Sequence, residues 1–313
     1  MRYYNVGIKG TGSYLPSKII TNKDIEKKVN TTDEWIQQKL GINERRVVEH
    51  ELTSDIGYEA ALKALEASNL NINDIDLIIV ATSSPEKISP SISCTIHNKF
   101  NVEKNIPAFD LNAVCSGFVY AINFVVPLIS YKVYKNVLII ATETYSKITN
   151  WDDQHCVFFG DGAGAVVLGY TEKGWISGEN NANGKDTGMT GFNLPLNSKF
   201  IMKGKEVWNA AVEFIPKSVR SIIKIANINI NDIDLIIPHQ PNINIIKHIS
   251  NDLNIPMVKF KTIMDKYANI AGASIPIALD EAVKNSEIKE DSIILLTAIG
   301  SGWTWGSTII SYK

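Results

Sequence analysis

The chain has 313 residues, of which 45% are hydrophobic, and it can therefore bury a large core in one big domain or two closely packed ones. Its net charge of −2 gives no field that would attract nucleic acid or a membrane surface, and no apolar run reaches the roughly 20 residues that span a bilayer. Three cysteines without Cys-x-x-Cys spacing argue against disulfides and zinc, and the N-terminus lacks a signal peptide's apolar stretch, so we expect a cytoplasmic, metal-free protein.

A nine-residue segment occurs twice in the chain. Asn71–Ile79 recurs letter for letter as Asn229–Ile237. Each copy follows a helix-like segment, Ile56–Ser68 in the first case and Ala211–Ala226 in the second, and each then enters an apolar strand. A chain this rich in asparagine and isoleucine could repeat by coincidence. The shared helix–loop–strand context favours two related α/β halves.

The remaining pattern alternates strands with helices, which is typical of an α/β fold. Further strands are predicted at Val137–Ala141, Ala165–Gly169 and Ser292–Thr297. The glycine-rich stretch Gly160–Ala165 resembles a dinucleotide-binding loop, but it runs into a strand and not into a helix, so a tight turn with close backbone packing is the better interpretation. We predict an N-terminal half at 1–168 and a C-terminal half at 169–313, without a linker between them.

Cys115 lies where a strand-like run gives way to a helix-like one, in the segment Ile106–Phe118. A sulfur at a helix N-terminus is stabilised as a thiolate by unpaired N–H groups and by the helix dipole, which would lower its pKa. This position predicts a reactive nucleophile. The alternative is a buried structural cysteine, the more common state of a free cysteine.

Two further polar residues stand in contexts that suit a catalytic site. His239 directly follows the apolar strand of the second repeat, and Asn269 begins a small-residue stretch that leads into a predicted helix, Ile275–Val283. Taken singly, His239 could be a structural strand-end histidine and Asn269 an ordinary turn or cap residue. Only their combination with Cys115 suggests a shared site.

Six segments together resemble the β-ketoacyl-acyl carrier protein synthase III family. They are Thr32–Ile36 with Gly41–Arg46, Asp110–Phe118, Phe159–Ala165, Pro238–Asn242, Tyr267–Asn269 and Thr304–Ser307. The resemblance covers nearly the whole chain in order. It implies a thiolase-like, five-layered αβαβα fold of two duplicated halves, a homodimer and a Cys–His–Asn site. Thiolases, with a second catalytic cysteine, and elongating synthases, with two histidines, do not fit.

The resemblance also implies a reaction. The Cys115 thiolate would take an acyl group from acyl-CoA or another acyl thioester, and a malonyl thioester on acyl carrier protein would then lose CO₂ and attack the acyl group. His239 and Asn269 would donate hydrogen bonds to the enolate, and the backbone N–H groups of Cys115 and Ser301 would form the oxyanion hole. The family needs no cofactor beyond these substrates.

Several positions depart from the family pattern. Ile299 replaces an aromatic residue, and Ser89 stands where a large residue of the partner subunit often caps the acyl pocket, so we expect a primer bulkier than acetyl. An arginine usual between Trp151 and Gly160 is missing, and Asn244 and Asn209 replace basic residues, which indicates reduced contacts to coenzyme A phosphates and the carrier protein. The substrate-binding residues Trp35 and Lys39 remain, although lysine offers a point charge and not a bidentate clamp.

Two other functions stay open. The same cysteine could transfer an acyl group to oxygen or nitrogen without decarboxylation, or the chain could be an inactive partner subunit. The presence of Cys115, His239 and Asn269 together argues against the inactive subunit, because a scaffold needs none of the three.

Overall fold

A computed structural model describes residues 3–185, 190–191 and 201–312 of the chain. The strands are β1 (Val6–Tyr14), β2 (Lys18–Thr21), β3 (Glu44–Val47), β4 (Leu77–Ala81), β5 (Ala108–Leu111), β6 (Asn136–Thr144), β7 (Asp161–Tyr170), β8 (Trp175–Ala182), β9 (Thr190–Gly191), β10 (Ile201–Met202), β11 (Leu235–Pro238), β12 (Ile293–Gly300) and β13 (Thr304–Ser311). The α-helices are α1 (Asn22–Glu26), α2 (Asp33–Leu40), α3 (Thr53–Ala67), α4 (Ile92–Lys99), α5 (Gly117–Ser130), α6 (Gly204–Ala226), α7 (Ile243–Leu253), α8 (Met264–Tyr267) and α9 (Ser274–Lys284).

Two larger sheets repeat one strand order. The first runs β1-β7-β6-β4-β5, and the second, read from its other edge, runs β8-β13-β12-β11. In each sheet two antiparallel pairs are followed by a parallel pair, β4 with β6 in the first sheet and β11 with β12 in the second, and in the first sheet β5 also pairs with β4 in parallel. Phe260 bridges Ile236 of β11 in parallel at the place that β5 holds in the first sheet. The second sheet is therefore a copy of the first, with its fifth strand reduced to a single bridge.

The sheets and helices form five layers. Helix α3 packs on the outer face of the first sheet and α6 on the outer face of the second, while α5 and α9 lie between the sheets. Three apolar clusters fill the spaces between successive layers, and the central one contains residues from both sheets. All nine residues of β6 are buried because helices cover both faces of the sheet, which explains its nearly continuous apolar sequence. The predicted αβαβα fold is confirmed.

The duplicated segment has the same local structure in both copies. Asn71 and Asn229 each cap a 3₁₀ turn and accept a hydrogen bond from the backbone N–H two residues later, at 2.9 Å in both cases. Lys104 donates to Asn73 and Ile75 carbonyl oxygens, and Lys259 donates to the equivalent carbonyls in the second copy. The repeat therefore records a duplicated helix–turn–strand unit.

The predicted elements exist, with longer bounds than the sequence indicated. The glycine-rich stretch after Phe159 forms the start of β7, where Gly164 lets Pro276 of α9 approach to 2.7 Å from the position that a Cβ would occupy. Close packing at these glycines is thus confirmed, but the predicted tight turn is wrong, because residues 161–165 already belong to the strand. The chain passes from the first large sheet to the second between Tyr170, the end of β7, and Trp175, the start of β8. The exact boundary at 168/169 stays a prediction. No helix among the described residues is long and apolar enough to cross a membrane.

Candidate active site

Cys115 lies in a single 3₁₀ turn, Val114–Ser116, that leads directly into α5. Val114 has a φ of 50°, a left-handed conformation that is rare for a β-branched residue and that tends to occur at functional sites. The strand end and the helix start of the sequence prediction are therefore both present, joined by a strained turn. This turn places the half-buried Cys115 at the wall of a cavity.

The electrostatic surroundings of Cys115 differ from the prediction. The helix start was expected to lower the pKa of the Cys115 thiol. Burial instead raises this pKa, and the negative charge of the nearby Glu143 carboxylate raises it further. A backbone hydrogen bond lowers the pKa but does not outweigh these two effects. The sequence showed the helix but not the buried carboxylate. The surroundings of Cys115 therefore favour the thiol over the thiolate.

His239 follows β11 at the end of the second sheet. Its backbone N–H donates to the Thr297 carbonyl oxygen at 2.8 Å, which joins the loop to β12. The next residue, Gln240, is buried and donates to the carbonyl oxygens of Pro238 and Lys261 at 2.8 and 3.1 Å. Burial lowers the pKa of His239 to about 3, against a hydrogen bond with the Ala271 backbone that raises it. The imidazole is therefore neutral near pH 7 and has one N–H, which can donate either to the Ala271 backbone or to a substrate oxygen, while its buried Nδ1 has no hydrogen-bond partner among the described residues.

Asn269 is oriented by its own loop. Its Oδ1 accepts a hydrogen bond from the Ala271 backbone N–H at 2.8 Å, so its Nδ2 group is left to donate elsewhere. Its backbone exchanges hydrogen bonds with Phe158 and Gly160 at 2.9 and 3.1 Å, and this ties the loop to the start of β7 in the first half. Asn269 is thus both the turn residue that its sequence context suggested and a fixed donor.

One cavity of about 540 Å³ brings the three residues together. Cys115, His239 and Asn269 all line it, as do the predicted Ile299 and Ser301. Its apolar wall comes mainly from the second half: Val207, Trp208, Ala211, Ile245 and Trp303. A mainly apolar cavity with a few convergent polar groups is typical of a small-molecule site.

The turn after β12 lies close against the Cys115 backbone. A Cβ added to Gly300 would lie 3.0 Å from the Cys115 backbone nitrogen and 2.8 Å from the Ala113 carbonyl oxygen, so glycine is required here. Thr304 and Ser116 both donate to that Ala113 carbonyl, at 3.1 and 2.7 Å. The backbone of Ser301 is thereby held near the Cys115 turn, which suits the predicted oxyanion hole.

Three predicted substrate-binding residues lie outside this cavity. Trp35 is 46% exposed and Lys39 is exposed, both on α2, which packs against α7 through a 2.8 Å hydrogen bond from the Asn244 amide to the Lys39 carbonyl. Asn242, the N-cap residue of α7, lines the cavity, so α2 packs against a helix that begins at the cavity wall. Ser89 is exposed on the loop between β4 and α4, and its role across a dimer stays a prediction.

The arginines of the described residues are engaged within the protein. Buried Arg45 bonds to Asn22 and the Val157 carbonyl, Arg46 pairs with Glu44, and Arg220 pairs with Asp252 at 2.6 Å. The expected reduction of contacts to coenzyme A phosphates stays a prediction.

One buried polar group near Cys115 was not among the residues predicted from the sequence. Glu143 is completely buried near the end of β6, and Ser83 and Tyr145 line the cavity beside it. A signal was present in the sequence, because Glu143 is the one charged residue in the strand Asn136–Thr144, whose other residues are uncharged.

The depressed pKa of His239 predicts a pH-dependent stability. A histidine that is neutral when folded and that protonates near pH 6.5 when unfolded stabilises the protein above that pH, and this contribution is lost as the pH falls toward 3. Between about pH 7.5 and about pH 5, the free energy of unfolding should fall by about 2 kcal/mol more in the wild type than in His239→Gln. Urea unfolding at the two pH values measures this difference, and equal declines in both proteins would contradict the assignment.

Comparisons with known proteins identify the family of this chain. Residues 109–184 match the family described as 3-oxoacyl-[acyl-carrier-protein (ACP)] synthase III, and residues 223–312 match its C-terminal family. The β-ketoacyl-[acyl-carrier-protein] synthase III of Clostridium acetobutylicum is 43% identical over 98% of this chain and 99% of its own.

Solved structures give the same result. The 3-oxoacyl-[acyl-carrier-protein] synthase III from Aquifex aeolicus has a TM-score of 0.95 and 39% identity, and the match covers 98% of this chain and 100% of that one. The priming β-ketosynthase of the R1128 polyketide pathway has a TM-score of 0.93 and 26% identity, over 99% and 97% of the two chains. The chain therefore belongs to the β-ketoacyl-[acyl-carrier-protein] synthase III family.

Proposed function

We propose that this protein is a condensing enzyme that joins an acyl primer, carried on Cys115, to a malonyl thioester with loss of CO₂. The observation that carries the proposal is the convergence of Cys115 from the first half with His239 and Asn269 from the second in one mainly apolar cavity. The substrates we propose are acyl-CoA, or another acyl thioester, and malonyl-acyl carrier protein, in fatty-acid initiation or a specialised lipid or polyketide pathway. No further cofactor is required.

The first step is acyl transfer to Cys115. The sulfur attacks the carbonyl carbon of the primer thioester, and the thiol proton leaves with the departing coenzyme thiol, so that a new thioester replaces the old one. The carbonyl oxygen becomes negative during the attack. We expect the backbone N–H groups of Cys115 and Ser301 to donate hydrogen bonds to this oxygen, and the close approach of Gly300 to the Cys115 backbone nitrogen supports that role.

The second step is decarboxylative condensation. The malonyl carboxylate leaves as CO₂, and the electron pair of the broken carbon–carbon bond forms an enolate, whose oxygen receives hydrogen bonds from His239 and the Asn269 Nδ2 group. The enolate carbon attacks the acyl-Cys115 carbonyl and expels the thiolate, which is then protonated. A neutral His239 suits this role because it donates without placing a second charge in a buried site.

We also propose a homodimer. Strand β5 pairs only with β4 among the described residues and leaves a sheet edge free. Phe109 of β5 and Phe124 of α5 are 38% and 51% exposed, with ring centroids 6.2 Å apart. An unpaired edge beside exposed aromatic rings is a template for pairing with another copy. The loop of Ser89 would then meet a partner's cavity.

Product analysis tests the function and the primer together. With malonyl-acyl carrier protein and a panel of acyl thioesters, we expect one CO₂ for each β-ketoacyl product, and faster loading of a primer larger than acetyl. Because the described arginines are engaged elsewhere, acyl-pantetheine should load nearly as well as acyl-CoA.

Three outcomes would count against these proposals. An ester or amide product without CO₂ would indicate simple acyl transfer, and no acyl adduct at all would indicate an inactive subunit. If acetyl-CoA loads fastest, and acetyl-pantetheine loads a hundredfold or more slowly (about 2.7 kcal/mol), the primer and phosphate proposals are wrong.

A further inference from the structure

Glu143 is a buried carboxylate that the proposed reaction does not use. Its side chain is 0% exposed, near the end of β6. It is surrounded by neutral donors: the Ser83 backbone N–H at 3.2 Å, the Ser83 hydroxyl at 2.9 Å and the Ser84 hydroxyl at 2.5 Å. Burying a carboxylate without a cation destabilises a fold unless several hydrogen bonds offset the lost hydration. The set of donors around the Glu143 carboxylate therefore indicates that this buried charge has a function in the site.

The carboxylate connects three segments around the sulfur. Ser83 and Ser84 belong to the loop after β4, and the Gly272 backbone N–H, in the loop that follows Asn269, also bonds to Glu143. A Cβ added to Gly272 would lie 3.3 Å from Glu143 Oε1 and 3.2 Å from the Val114 carbonyl oxygen. Glu143 therefore lies where the β4 loop, the Asn269 loop and the Cys115 turn meet.

The same group reaches the cavity through hydroxyls. The Ser83 hydroxyl lies 2.8 Å from the Tyr145 hydroxyl, and both residues line the cavity. Tyr145 belongs to the small apolar cluster against which Cys115 packs. Hydrogen bonds from Glu143 through the Ser83 hydroxyl to the Tyr145 hydroxyl therefore connect the carboxylate to the cavity.

Charge is the second property that Glu143 brings to Cys115. Burial raises the pKa of Glu143 to about 7, opposed by the hydroxyl and backbone donors, so its charge changes near neutral pH. The other titratable groups beside Cys115 are neutral there: burial raises the pKa of Tyr145 and lowers that of His239. Glu143 is also the charged group that raises the pKa of the Cys115 thiol.

We propose that Glu143 is a positioning residue for Cys115, whose carboxylate ties the β4 loop and the Asn269 loop to the Cys115 turn and whose negative charge disfavours the thiolate. This inference rests on the proposed function only in taking Cys115 as the nucleophile. Loss of Glu143 should therefore have opposite effects on the reactivity of the sulfur and on the rate of condensation. Removing the charge makes the sulfur more reactive, whereas loosening the loops displaces Asn269 and slows condensation.

The experiment compares the full chain carrying Cys94→Ser, because Cys94 is exposed, with and without Glu143→Gln. Alkylation of Cys115 by iodoacetamide is followed by mass spectrometry across a pH series. We expect the Glu143→Gln profile to move to lower pH, with at least about tenfold faster alkylation near pH 7, the equivalent of one pKa unit. In the same variant, condensation with malonyl-acyl carrier protein should be at least about tenfold slower. Glu143→Asp, which keeps the charge, should restore the wild-type alkylation profile.

Slower alkylation in Glu143→Gln would overturn the proposal, because it would mean that Glu143 accepts the thiol proton; an unchanged rate would overturn it as well. Asp280→Asn is the control: Asp280 is an equally buried carboxylate, held by Thr11, Ser13 and Lys284, and its loss should leave alkylation unchanged. If Glu143→Gln does not fold, Ser84→Ala removes one donor to the carboxylate and should accelerate alkylation in the same direction. Loss of the acyl adduct is a separate readout that tests the proposed function alone.

Discussion

Cys115→Ala should abolish acyl loading completely. Intact mass after incubation with a reactive acyl thioester should rise by one acyl group in the wild type and by none in the variant, because no other cysteine lies at the cavity. Condensation should fall by at least about 10⁴-fold, since removing a covalent nucleophile removes the acyl-enzyme route entirely.

The other two cysteines provide matched controls for this result. Cys94 is exposed on α4 and Cys156 is buried in a separate apolar cluster near α2. Cys94→Ala and Cys156→Ala should therefore still gain one acyl group. An adduct that persists in Cys115→Ala would show that another side chain is the nucleophile.

Asn269→Ala should slow condensation by roughly 10²–10³-fold, the usual effect of losing one oxyanion-type donor. Acyl loading should change little, because the Nδ2 group acts on the malonyl oxygen and not on the primer. Single-turnover loading and malonyl decarboxylation, measured separately, distinguish the two steps.

Asn269→Asp separates donation from loop geometry. Aspartate keeps the oxygen that accepts from the Ala271 N–H at 2.8 Å, so the turn is retained, but it has no amide to donate. It should be at least as slow in condensation as Asn269→Ala. A loss confined to loading in either variant would contradict the role assigned to Asn269.

The fold was largely predictable because its signals are local. Period and length of apolar runs indicated β6, β7 and β12, and the exact repeat at Asn71 and Asn229 indicated duplication. The bounds were less predictable. Helix α6 begins at Gly204, well before the predicted Ala211. The prediction began too late because the first turns of the helix line the cavity and carry more polar residues than its buried part.

The site was predictable only as a set of candidates. Strand-end and helix-start contexts selected Cys115, His239 and Asn269, but each context also fits an ordinary structural residue. The structure shows how they meet: β5 and β11 belong to the two sheets that enclose α5 and α9, and the Asn269 loop is bonded across to Phe158 and Gly160 of the first half.

The sequence by itself determined what depends on neighbouring residues: the alternation of strands and helices, the duplicated unit, the family motifs, and the helix that follows Cys115. Tertiary structure alone decided what depends on groups far apart in the chain. Burial makes His239 neutral, and the Glu143 carboxylate, 28 positions along the chain from Cys115, raises the pKa of its thiol against the helix start. Desolvation and charge act through space, and a linear pattern does not record which side chains share that space.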